Sequence, residues 1–164
     1  MKNILQKIHT FFVKLPIVWF ILIILISQFI IDYCLLFVLS YILIVDDPTA
    51  YDYFLQFPYW LQLTILFPAA FIETILYQWL VFKILRLIKF FRNNIIIIVL
   101  ISALLFGVSH YNNLIQQIIT FFGGIVLAYS YILTEEKKLS PVLVVTIIHF
   151  IYNVILFSII NIFE

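Results

Sequence analysis

Charge, cysteine and glycine are all scarce in this 164-residue sequence: 10% of the residues are charged, Cys34 is the single cysteine and there are three glycines. One cysteine excludes an intrachain disulfide and leaves the redox compartment open. So little charge excludes the hydrated surface of an ordinary soluble domain, and a formal net charge of +1 gives no reason to invoke nucleic acid. No Ser/Pro-rich linker, low-complexity tract or repeat marks a second domain, so residues 1–164 are read as one membrane-embedded domain. Lys2, Lys7 and Lys14 ahead of an apolar stretch resemble a signal peptide. The stretch continues to Val45 without a small-residue cleavage site, which favours a retained helix.

Hydrophobic residues, by contrast, make up 66% of the chain, and mean hydropathy is +1.22. Apolar runs recur near the ~20 residues that a bilayer-crossing helix needs, which predicts an all-α, polytopic transmembrane bundle. Five spans are expected: Pro16 to Val45, Pro58 past Phe82, Ile95 to His110, Leu114 to Leu133, and Pro141 to Ile162. Basic residues collect on the cytoplasmic side of membranes, and all nine here obey one topology. Lys2, Lys7 and Lys14 precede the first span, Lys83, Arg86, Lys89 and Arg92 follow the second, and Lys137 and Lys138 follow the fourth. Asp46, Asp47, Asp52 and Glu164 fall on the other side, so the N-terminus is expected inside and the C-terminus outside.

Against this background four hydrogen-bonding side chains stand out: Glu73, His110, His149 and Asn153. A carboxylate or imidazole in hydrocarbon loses its hydration, and such groups within membrane spans face a partner or a wet cavity. Glu73 lies ten residues from Lys83, about 15 Å, and His149 eight residues from Pro141, about 12 Å, at ~1.5 Å per residue. His110 is sixteen residues from Asn94, about 24 Å, which leaves it too deep unless the third helix tilts or begins along the interface. The basic residues at 83, 86, 89 and 92, spaced by Ile, Leu and Phe, predict an interfacial helix over Phe82 to Asn94. His149 and Asn153 are i and i+4, as are Phe106 and His110, so each pair shares a helix face.

The segments Phe71-Ile-Glu-Thr-Ile-Leu-Tyr-Gln78, Phe106-Gly-Val-Ser-His110 and His149-Phe-Ile-Tyr-Asn153 resemble, in order and spacing, the three motifs of the CAAX prenyl protease type II and bacteriocin-processing (CPBP) family of intramembrane glutamic proteases. The resemblance covers a motif-bearing core of about 58–153. It implies an endopeptidase without a metal or other cofactor, in which Glu73 and His110 activate water and His149 and Asn153 stabilise the oxyanion. It also implies a membrane-associated peptide or protein substrate. The brevity of the chain, its Ile and Phe content and its one-sided basic loops point to a bacterial inner membrane and away from prenylated substrates.

Two positions depart from the family motif: its second glutamate is Thr74 here and its arginine is Gln78. As i and i+4 residues they are expected to form a neutral contact in place of a charged one, with no catalytic part for Thr74. Asp32 lies sixteen residues after Pro16, so it would meet His110 if the first and third helices packed together; otherwise it is a solvated or interfacial residue. His9 is read as interfacial, and Gly107, Gly123 and Gly124 as close-packing positions. Pro68 should free the Thr64 carbonyl and kink the second span. Two histidines and a glutamate also suit a zinc site with an open fourth position, although no His-Glu-x-x-His helix supplies them. The other readings are a noncatalytic bacteriocin-immunity or partner-binding protein of the same fold and, third, a transporter.

Overall fold

Long runs of Ile, Leu, Val and Phe have no polar face to present to water, and helices built from them are apolar around their whole circumference. The computed structural model describes residues 2–42, 57–110 and 114–163, and nearly all of these are helical. In order they are α1 (Lys2–Lys14), α2 (Ile17–Ile42), α3 (Tyr59–Glu73), a π-helical segment (Thr74–Leu80), α4 (Val81–Leu85), α5 (Lys89–Arg92), α6 (Ile95–Ser109), α7 (Leu114–Glu136) and α8 (Pro141–Phe163). The all-α expectation holds for the described residues. Val45, where the first span was expected to end, and the acidic residues Asp46, Asp47, Asp52 and Glu164 lie outside them.

Among the described residues four helices are long and apolar enough to cross a membrane: Ile17–Leu39, Tyr59–Leu85, Leu114–Glu136 and Pro141–Ile162. The remaining expected span is α6, with 15 residues. At ~1.5 Å per residue it is about 22 Å long, short of a ~30 Å hydrocarbon core.

Helix α7 is the hub, with α2, α6 and α8 all against it. Its buried residues include Gly123, Gly124, Leu127, Ala128 and Leu133. Added Cβ atoms show how close the α6–α7 approach is: one on Gly107 would lie 2.9 Å from the Gln117 carbonyl oxygen, and one on Gly124 would lie 2.9 Å from Ala103 Cα. Around this hub Phe20, Phe82, Ile98, Val145 and Ile148 fill the core, while Phe37, Tyr41 and Ile96 face outward on the apolar perimeter.

Two local features differ from the sequence expectation. Lys2 to Lys14 form a helix of their own, α1, which ends ahead of Pro16 because proline has no amide hydrogen to continue the ladder. The segment Phe82 to Asn94 is not one interfacial helix: α4 ends at Leu85, a turn follows, and α5 contributes four residues.

The basic segments converge on one end of the bundle. Arg86 grips Glu135 with both guanidinium nitrogens at 2.8 and 2.6 Å. Lys137 Nζ donates to the Val13 and Leu15 carbonyls at 2.8 and 2.6 Å, capping the end of α1. Bonding to Glu135 holds the Arg86 guanidinium above its usual range, and burial lowers the Lys137 ammonium below its own. His9 is more than a free interfacial residue: its Nδ1 meets the Tyr129 hydroxyl at 2.8 Å and its Nε2 meets Glu136 at 2.9 Å. At the opposite end Tyr59 and Ser158 share a hydrogen bond of 2.7 Å, joining the start of α3 to the last turns of α8.

Candidate active site

Glu73 closes α3, five residues after the helix-internal Pro68. The following winding is π-helical from Thr74 to Leu80, and π turns inside α-helices often accompany functional sites. Widened winding loosens the i to i+4 ladder, and the Tyr77 carbonyl from this segment accepts a 2.6 Å bond from Ser102 on α6. Thr74 and Gln78 do not form the contact expected of an i, i+4 pair. Thr74 Oγ1 donates to the Ala70 carbonyl at 2.8 Å, and the buried Gln78 amide has no hydrogen-bond partner among the described residues. With its hydroxyl committed to the Ala70 carbonyl, Thr74 leaves nothing for the Gln78 amide to bond.

Glu73 Oε2 lies 3.5 Å from His149 Nε2, the side chains being 29% and 6% exposed. The carboxylate thus reaches a partially open volume, while the imidazole is walled in by α8 and its neighbours. Among the described residues His149 Nδ1 is buried without a hydrogen-bond partner, and Nε2 is the nitrogen turned to the carboxylate.

His110 caps the end of α6. Its Nδ1 is 2.8 Å from the Phe106 carbonyl oxygen, and because a carbonyl only accepts, Nδ1 must carry the hydrogen. A neutral His110 therefore presents a lone pair on Nε2. Phe106 relates the two histidines: its ring stands edge-on to His110 with centroids 4.7 Å apart and to His149 at 5.5 Å. His110, which helix counting put too deep, is accordingly near His149. Asn153 is half-buried one turn beyond His149 on α8, a placement that comes from helix register alone.

Asp32 does not meet His110. Helix α2 lies on α7 and α8, and Asp32, 8% exposed, accepts a 2.6 Å hydrogen bond from the Tyr152 hydroxyl. Neither the pairing with His110 nor the solvated alternative describes it; the α8 face next to the His149 motif supplies a donor that makes burial tolerable. Tyr152 was part of the motif string yet carried no signal of this role, since its partner is 120 residues away. Phe106 was likewise visible only as a motif letter. Among the described residues no group of three or more His, Cys, Asp or Glu side chains is gathered closely enough to hold a metal ion, so the zinc reading lacks a third protein donor beside Glu73 and His149.

Comparison with protein families gives one finding: a model described as type II CAAX prenyl endopeptidase Rce1-like matches residues 55–155. The matched stretch contains Glu73, His110, His149 and Asn153 and excludes α1, α2 and Asp32. No curated protein and no solved structure matches the chain.

Proposed function

We propose that this chain, which belongs to the type II CAAX prenyl endopeptidase Rce1-like family, is an intramembrane glutamic endopeptidase that cleaves a membrane-associated peptide or protein. Membership makes it a protease and an integral membrane protein in general terms; the glutamate mechanism and the residue roles are our reading. The observation that carries it is the 3.5 Å approach of the Glu73 carboxylate to His149 between two different helices, one of them wound as a π-helix immediately after the glutamate.

In this reading Glu73, with His110 Nε2 as a second acceptor, takes a proton from water as the water oxygen attacks the scissile carbonyl carbon. The carbonyl oxygen becomes an oxyanion facing His149 Nε2–H and the Asn153 amide, donors that act strongly because the site is poor in water. The proton held by Glu73 passes to the leaving nitrogen as the C–N bond breaks, giving a carboxylate and an amine. Thr74 takes no part, since its hydroxyl is committed to Ala70.

The topology proposed with this function has five spans, α6 being the short one, with the basic end of the bundle cytoplasmic, the C-terminus outside and residues 1–164 forming one domain. The Arg86–Glu135, Lys137–Leu15 and His9–Glu136 contacts support it by drawing the three basic segments together. A bacterial inner membrane is the proposed location. Replacing Glu73 by glutamine tests the mechanism: cleavage should vanish while the protein remains folded, and an unchanged biological effect would favour a noncatalytic role.

A further inference from the structure

A cavity of about 510 Å³ lies at the basic end of the bundle, where α1, the turn after α4, α6 and α7 meet, away from Glu73. Its wall changes character along its length. At the charged end are Arg86, Arg92, Glu135 and Glu136, with His9 beside them. Both carboxylates are already engaged, Glu135 by the Arg86 fork and Glu136 by His9. Arg92 makes no hydrogen bond or ion pair among the described residues, so the charged side chain left without a partner at this end is a cation.

Past Arg92 the wall turns apolar. Ile95, Ile96 and Val99 follow along α6, with Ile132 of α7 also lining the cavity. From Ile95 to Val99 is four residues of α6, about 6 Å at ~1.5 Å per residue. Ile96 is 70% exposed, so this part opens toward the surrounding hydrocarbon.

We propose that the cavity binds an anionic phospholipid, with its phosphate on Arg92 and one acyl chain along Ile95, Ile96, Val99 and Ile132. An unpartnered cation beside a wall that turns apolar matches a molecule that is charged at one end and hydrocarbon at the other. Inorganic phosphate would satisfy Arg92 and leave the apolar wall uncovered. An extended peptide would bring backbone donors and acceptors to a wall of helices whose own backbone groups are already paired. The site is independent of the protease reading and is tested without measuring cleavage.

The test is native mass spectrometry of the full chain released from nanodiscs containing equal amounts of phosphatidylglycerol and phosphatidylcholine. Wild type should retain one phosphatidylglycerol in preference to phosphatidylcholine, and Arg92→Gln should weaken that retention about fivefold, the equivalent of ~1 kcal/mol for one basic side chain near the headgroups. Val99→Trp, which fills the apolar channel, should reduce it too, with thermal melting in detergent reporting whether the variant is folded. Excess inorganic phosphate should leave the lipid in place. Equal retention of the two lipids, undiminished phosphatidylglycerol on Arg92→Gln, complete displacement by inorganic phosphate, or a stoichiometric peptide in place of lipid would each overturn the proposal.

Discussion

The Tyr152 hydroxyl donates to Asp32 Oδ2 across 2.6 Å, tying α2, which lies outside the family-matched stretch, to the helix that carries His149 and Asn153. The other carboxylate oxygen, Oδ1, is buried with no partner among the described residues, so the Tyr152 bond is the one that holds Asp32 there. Removing it by Tyr152→Phe should destabilise the protein by about 1–3 kcal/mol, the cost of stranding a buried polar group. Adding Asp32→Leu to that variant should recover part of the loss, because no carboxylate is then left without a partner. Reversible unfolding in detergent of Tyr152→Phe, Asp32→Leu and the double variant measures this, and additive losses would show the two residues to be uncoupled.

Glycine packing makes a sharper contrast. A methyl at Gly124 would sit 2.9 Å from Ala103 Cα, a backbone atom that cannot move aside, whereas one at Gly123 would meet the end of the Gln28 side chain at 3.1 Å. Gly124→Ala should therefore cost about 1–3 kcal/mol through overpacking, and Gly123→Ala clearly less. The difference in melting temperature between the two alanine variants reads this directly; equal losses would mean that the α6–α7 approach is not as close as described.

Phe106 holds an edge toward each imidazole, at 4.7 and 5.5 Å. Trimming it to leucine keeps the core apolar while letting both rings drift. Because misplacing reacting groups by about 1 Å can cost on the order of 100-fold in rate, Phe106→Leu should lower kcat far more than it raises KM. A change confined to KM would assign the ring to substrate binding instead.

A metal-independent site should not respond to chelation. With two side chains, Glu73 and His149, at 3.5 Å and no third donor gathered with them among the described residues, prolonged treatment with a strong chelator should leave the cleavage rate as it was. Loss of activity that zinc restores would move the reading to the metal-dependent alternative.

The long apolar runs that became α2, α7 and α8 were legible because membrane helices need only length and hydropathy to be recognised. The three motif strings gave Glu73, His110, His149 and Asn153, of which the structure brings Glu73 beside His149 and His110 beside the ring that His149 also touches. What escaped the sequence depends on winding and on distant neighbours. Thr74 and Gln78 form a pair by i, i+4 spacing, but spacing does not reveal that the Thr74 hydroxyl turns back to the Ala70 carbonyl of its own helix. Asp32 was matched to His110 by counting residues from the helix starts, which gives depth but not direction; packing of α2 on α7 and α8 turned it to Tyr152. Lys2, Lys7 and Lys14 signal an interface by their charge, but the helix they share is set apart from α2 only by the break at Pro16.

The central claim concerns Glu73, and the most direct measurement compares membrane peptides from cells carrying wild type or Glu73→Gln at equal abundance of folded protein. Hydrolysis by glutamate-activated water requires that at least one membrane-proximal peptide persist uncut with the glutamine variant and be cleaved by wild type. The same peptides, cut at the same bonds and rates with either protein, would contradict it.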